Sequence, residues 1–340
     1  MTPARALRFV CLLASAGGAG LFAAPSAAVA QQAYYSQTYL SAPHNWAFRG
    51  RFPGVDALFN AFDYGHAILY ETLWRRPNAP LAELDSARYG FITTSLLRHP
   101  PNVALDESAI GPNWVKLVPE VAQMFEWAHL LHRQLYDVWA YDRLTPERRD
   151  KEVARLLRYY RSRQALAFST SPKNMNLMEG QSYSLAFRKR YPRYNGLIWS
   201  YHWLQMALYE ALLAPAGDVR RRSNVDAVVT RFWEMLDPVH PQLPTVMPQS
   251  YAVAPRFSGR YPEAAIIFDN LHSLHDVVSD ILADPAIPPS AKRQTILQAA
   301  ARYRDTTTSI TSVEDWKAMA DAMGLANMGG AAPVVEETGR

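Results

Sequence analysis

The sequence predicts an all-α fold, on three observations. Apolar residues recur at steps of three and four along most of the chain, convincing alternating strand patterns are absent, and the chain contains itself twice. Residues 47–53 read AFRGRFP and residues 186–192 read AFRKRYP, an offset of 139. At the same offset Leu69-Tyr70-Glu71 aligns with Leu208-Tyr209-Glu210. The offset then becomes 143, and PEVAQMFEWAHLLH (119–132) lies over PEAAIIFDNLHSLH (262–275) with seven identities in fourteen positions. The match continues through Asp137/Asp280, Pro146/Pro289 and Tyr160-Arg161/Tyr303-Arg304. A period this long exceeds that of a solenoid repeat, so it predicts a duplicated, pseudo-two-fold helical bundle with repeats at about 47–165 and 186–305.

In chain order, Arg5 and Arg8 precede an apolar stretch, and Ala28-Val29-Ala30 makes a small-x-small cleavage site; residues 1–30 read as a secretory signal. The expected location is therefore periplasmic or secreted. Leu58, Phe62, Leu69 and Leu73 predict a helix through 55–75, ending before Pro77. Val118 to Ala140 carries Val121, Phe125, Leu131, Leu135 and Val138 in a long helix. Thr145-Pro146-Glu147 opens a basic helix running to about Ala167, with Thr145 as N-cap and Pro146 in the first turn. The second copy predicts helices at 197–214, 263–283 and 290–304, with 224–236 as an addition. Ser312-Val313-Glu314-Asp315 resembles a capping box for a terminal helix. The Pro-rich stretch 237–262 reads as long loops, and 326–340 as a loose tail closing a single domain of 31–325.

Composition narrows the chemistry. Cys11 is the sole cysteine and lies in the signal, which removes disulfides, cysteine zinc sites, iron–sulfur clusters and thiol catalysis. Any metal must be held by His, Asp and Glu, whose donors suit iron, manganese, zinc or copper. The formal charge of +4 falls to +2 without Arg5 and Arg8, which does not suggest a nucleic-acid binder. Beyond the signal no apolar run is long enough to span a bilayer. Phosphate loops and the Gly-x-Ser-x-Gly elbow are absent.

The residues kept in both copies carry metal-binding atoms. On a helix, positions three apart share a face, so Glu126 with His129, and Asp269 with His272, can each address one point. Glu71 and Glu210 add one acid from each of two further helices. This set resembles the ferritin-like di-metal carboxylate superfamily, built from one Glu on each of two helices and Glu-x-x-His on two others. The resemblance implies a four-helix core holding two iron or manganese ions, often to activate dioxygen, with Glu71, Glu126, His129, Glu210, Asp269 and His272 as ligands. It predicts that these six side chains converge within a sphere of about 5 Å radius.

His132 and His275 extend each motif to acid-x-x-His-x-x-His, so they are support residues or alternative ligands, with Asp137 and Asp280 as further support. Were the four imidazoles of these motifs the true ligands, zinc or copper would be the metal. Asp63-Tyr64-Gly65-His66 makes a third acid-x-x-His, so His66 could line the site. His66 and His202 do not match between copies, since His66 aligns with Gln205 and Asp63 with His202. A purely structural polar network, in a non-enzymatic binding or assembly protein, stands as the competing reading. Arg49, Arg51, Arg188 and Arg190 in the AFRxR motif read as a helix-entry segment paired with Glu120 and Glu263, with anion binding as the alternative. Substrate and redox partner do not follow from the residues.

Overall fold

The computed structural model describes residues 38–77, 80–213 and 218–334. The stretch expected to be a signal, 1–30, and the end of the expected tail, 335–340, lie outside them. The described residues are helical, with a single isolated bridge between Lys173 and Ile310 as their only extended pairing.

Proline punctuates the chain. Helices α1 (Ala47–Arg51) and α2 (Pro53–Arg75) are separated by Phe52 alone. The short α3 (Glu107–Ile110) and α4 (Pro112–Leu117) lead into α5 (Pro119–Ala140) and α6 (Pro146–Ser162). The second copy repeats the series as α7 (Ala186–Arg190), α8 (Pro192–Leu213), α9 (Asp218–Met235), α10 (Ser250–Val253), α11 (Pro255–Arg260), α12 (Pro262–Ala283) and α13 (Pro289–Arg304). Helix α14 (Val313–Met323) follows. Most of these helices start on proline, whose fixed φ is already helical and whose missing N–H would have had no intrahelical partner there. Thr145 and Ser312 cap α6 and α14 as their sequence patterns predict, accepting from the N–H groups of Arg148 and Asp315.

The four long helices form the centre: α2 packs on α8 and α12, and α5 packs on the same two. Almost every residue of α5, α8 and α12 is buried. A helix buried all round must satisfy its polar side chains internally, which makes its His, Asp and Glu informative.

The structure corrects two expectations and adds one feature. The stretch 237–262 is not loop throughout, since α10 and α11 lie within it; at four and six residues they are too short for periodicity to register. The tail is docked at its start: Met328 is buried, the Thr245 N–H donates to the Asn327 carbonyl, and the Trp203 indole N–H donates to the Gly330 carbonyl. Residues 83–96 form π- and α-helical turns that the sequence reading did not anticipate.

Candidate metal centre

The duplicated acids all point at helix N-termini. The Glu71 carboxylate accepts from the backbone N–H groups of Asn113 and Trp114, both at 3.0 Å, in the first turn of α4. Its counterpart Glu210 accepts from the Phe257 N–H at 2.9 Å in α11. Glu126 accepts from the Glu107 N–H at the start of α3, at 3.3 Å. Asp269 accepts from both the N–H and the hydroxyl of Ser250 at the start of α10, and from the Trp316 indole N–H at 2.9 Å. Asp137 takes the N–H groups of Trp46 and Phe48, and Asp280 those of Leu185 and Phe187, each at 2.8 Å. Helices of four to six residues have little stability of their own, and a carboxylate facing their free N–H groups and positive dipole end supplies it.

The same contacts explain the AFRxR[Phe/Tyr]Pro motif. Trp46 and Leu185 both adopt left-handed backbone, at φ +70° and +67°, which side-chain-bearing residues rarely do. The carboxylates of Asp137 and Asp280 grip the chain on either side of that turn.

The arginines of the motif are mostly engaged, though not with the predicted partners. Arg49 pairs with Asp56, Arg51 with Asp142 and Arg188 with Glu179, while Arg190 donates to the Pro77 carbonyl. Glu120 and Glu263 pair instead with Arg293 and Arg161.

The imidazoles gather elsewhere, at the middle of the four long helices. His66 on α2, His202 on α8 and His275 on α12 each offer a ligand atom, and these three atoms lie within 4.8 Å of one another. All three side chains are essentially inaccessible. His66 donates through Nδ1 to the Phe62 carbonyl one turn back, at 3.1 Å, which leaves its Nε2 as the lone-pair nitrogen, 3.4 Å from His202 Nε2. Fixing one imidazole nitrogen on a backbone carbonyl is the usual way a protein orients the other towards a metal.

Three more histidines enclose the trio. His272 stacks on His202 with ring centroids 4.0 Å apart, His129 lies 5.5 Å from His275, and His132 lies 5.9 Å from His272. Tyr209 bonds His132 Nδ1 through its hydroxyl, at 2.9 Å. Six ring nitrogens, on His132, His202, His272 and His275, are buried without a hydrogen-bond partner. Each such group costs about 1–3 kcal/mol when left unsatisfied. Burial also keeps the rings uncharged: it pulls His66 down to about 4 and His129 to about 3, and holds His132, His202, His272 and His275 well below the usual imidazole range. Neutral imidazoles with free lone pairs are what a transition metal requires.

The six predicted ligands do not form the close group of ligand atoms in this structure. Among the described residues, no three of Glu71, Glu126, His129, Glu210, Asp269 and His272 bring ligand atoms together at that spacing, whereas His66, His202 and His275 do. Helix N-termini hold the four acids. The sequence reads His275 as a support residue or alternative ligand and His66 as a residue that could line the site, and it gives His202 no role because it has no identical counterpart. The usable signal was the register itself: Asp63/His202 and His66/Gln205 keep polar side chains at equivalent positions of otherwise apolar helices.

Asp63, the counterpart of His202, is 3.6 Å from His129 Nδ1 and 3.0 Å from the Arg133 guanidinium. Arg133 also bonds Asn60 at 3.0 Å and reaches Asp56 at 3.5 Å. Among the described residues, no helix is long and apolar enough to cross a membrane. Comparison with protein-family models, curated proteins and solved structures returns no match for this chain.

Proposed function

We propose that this protein is a metalloprotein whose buried imidazoles, His66, His202 and His275, hold a copper ion. The observation that carries the proposal is the meeting of three ligand atoms within 4.8 Å inside an apolar core, His202 and His275 both bearing ring nitrogens with no other partner. An all-nitrogen set suits copper and zinc, whereas manganese prefers carboxylate oxygen. Charge selects between copper and zinc. Three neutral imidazoles do nothing to offset the ion's charge, and the solvation cost of a buried ion grows with the square of that charge. Monovalent copper is therefore the better occupant than divalent zinc.

When bound, copper would supply one-electron chemistry, which supports an oxidoreductase role. The chain's own part is to orient the rings and exclude water: the Phe62 carbonyl fixes the tautomer of His66, and the stacked His272 walls one side of His202. The basic and apolar start, read as an export signal, fits a copper protein that works outside the cytoplasm. The di-iron or di-manganese reading ranks second, because its four acids already serve as helix caps.

The test is stoichiometry and affinity. Protein stripped with chelator and reloaded under anaerobic conditions with copper(I) should bind one ion per chain against a colorimetric cuprous chelator. His66→Ala, His202→Ala and His275→Ala should each weaken binding more than about 100-fold, since even residues that merely orient ligands are worth about 10–100-fold. Glu71→Gln and Glu210→Gln should keep it. Two irons or manganese per chain, lost in the Glu variants, would favour the carboxylate centre instead.

A further inference from the structure

A second site lies away from the imidazoles. The start of α2, residues 97–100 and the outer face of α9 enclose a cleft of about 580 Å³. Its walls include Phe52, Leu58, Leu97 and Trp233, and its rim carries Arg98 and Arg222. A neighbouring hollow of about 690 Å³ shares Arg51 and Arg222 and adds Arg143. The cleft opens on the helix that carries His66, but Leu58 precedes His66 by eight residues, or about 12 Å along the axis.

The two rim arginines are held without being neutralised. The Arg98 guanidinium lies 3.9 Å over the Trp233 ring, and Arg222 lies 5.8 Å from the Phe52 ring. Neither makes an ion pair with a described residue, unlike Arg51 and Arg221, which share Asp142. Stacking occupies the flat face of a guanidinium and leaves its N–H edge free, and that edge matches a carboxylate. Asp226 is the one acid lining this cleft, against three arginines. A hollow of this size with apolar walls and a few convergent polar groups is the usual form of a small-molecule site.

We propose that this cleft binds a small amphipathic carboxylate: its anionic head lies between Arg98 and Arg222 and its apolar body lies along Phe52, Leu97 and Trp233. The proposal does not depend on the metal. Calorimetric titration of the full chain with octanoate, octan-1-ol and acetate reads the two halves of the ligand separately. Octanoate should bind at one site per chain, octan-1-ol about tenfold more weakly and acetate still more weakly, because a charge-assisted hydrogen bond is worth about 1.5–3 kcal/mol. Arg98→Gln and Arg222→Gln are exposed changes, and each should weaken octanoate about tenfold while leaving octan-1-ol unchanged. Equal affinity for octanoate and octan-1-ol, no octanoate binding, or undiminished octanoate binding to the double Arg98→Gln/Arg222→Gln variant would each overturn the assignment. Circular dichroism of the variants separates lost binding from lost fold.

Discussion

The two copies of the repeat hold the same hydrogen bonds at their edges and different charges at their centres. At the edges Asp137 and Asp280 make matching bonds at matching lengths, and Glu71 and Glu210 cap corresponding helices. At the centre, Asn60, Asp63 and Arg133 of the first copy face Trp199, His202 and Asp276 of the second. In the first copy the guanidinium neutralises Asp63, and Asp63 engages His129. In the second the reversed charge, Asp276, is drawn off to the Trp199 indole N–H at 2.8 Å, and His202 keeps an unpartnered nitrogen. Duplicated acids hold the short helices in both copies, and the position where the copies diverged carries His202, the proposed ligand.

That contrast can be broken by mirrored substitutions. Arg133→Met leaves Asp63 buried without its cation, and should lower stability by about 3–5 kcal/mol. Asp276→Asn keeps an acceptor for Trp199 and should cost about 1 kcal/mol, within the range of an ordinary hydrogen bond. Paired urea titrations compare the two, and equal costs would mean that the halves are electrostatically alike.

The edges should behave in the opposite way. Asp137→Ala and Asp280→Ala each strand two N–H groups beside a left-handed residue, and should each cost about 2–4 kcal/mol. A difference above about 1 kcal/mol between them would show that the caps are not equivalent.

The metal-free protein should also lose stability in acid. The folded-state values of His66 and His129, about 4 and about 3, lie below the ordinary 6.5, so the unfolded chain binds more protons than the folded one in between. Their contribution is complete above pH 6.5 and is lost as pH falls towards 4, by about 1.4 kcal/mol per unit for each group. Denaturation midpoints flat between pH 7 and pH 4 would contradict the buried neutral cluster. The smallest expected effect is that of Tyr209→Phe, which removes the hydroxyl bound to His132 and should cost about 1 kcal/mol without changing metal stoichiometry.

These contrasts also show what could be read from residues alone. The long helices, their proline starts and the Thr145 and Ser312 caps were legible because periodicity and capping are local signals. The acids stand out in the sequence without showing what they hold. A carboxylate kept inside a buried helix looks the same in sequence whether it binds a cation or a helix N-terminus, and the short helices that decide the matter carry no periodic pattern. His202 is hidden in the sequence because identity between copies does not mark it, and the proposed ligand lies where that identity fails. The cleft rimmed by Arg98 and Arg222 is invisible in the sequence because α2, α9 and residues 97–100 meet only in the folded chain.

The position of a bound metal decides between the imidazole and carboxylate centres. Anomalous diffraction at the copper edge, from crystals of copper(I)-loaded protein, locates it directly. A single peak surrounded by the ring nitrogens of His66, His202 and His275 is the predicted result. A peak among the carboxylates of Glu71, Glu126, Glu210 and Asp269, or no peak in the core, would contradict it.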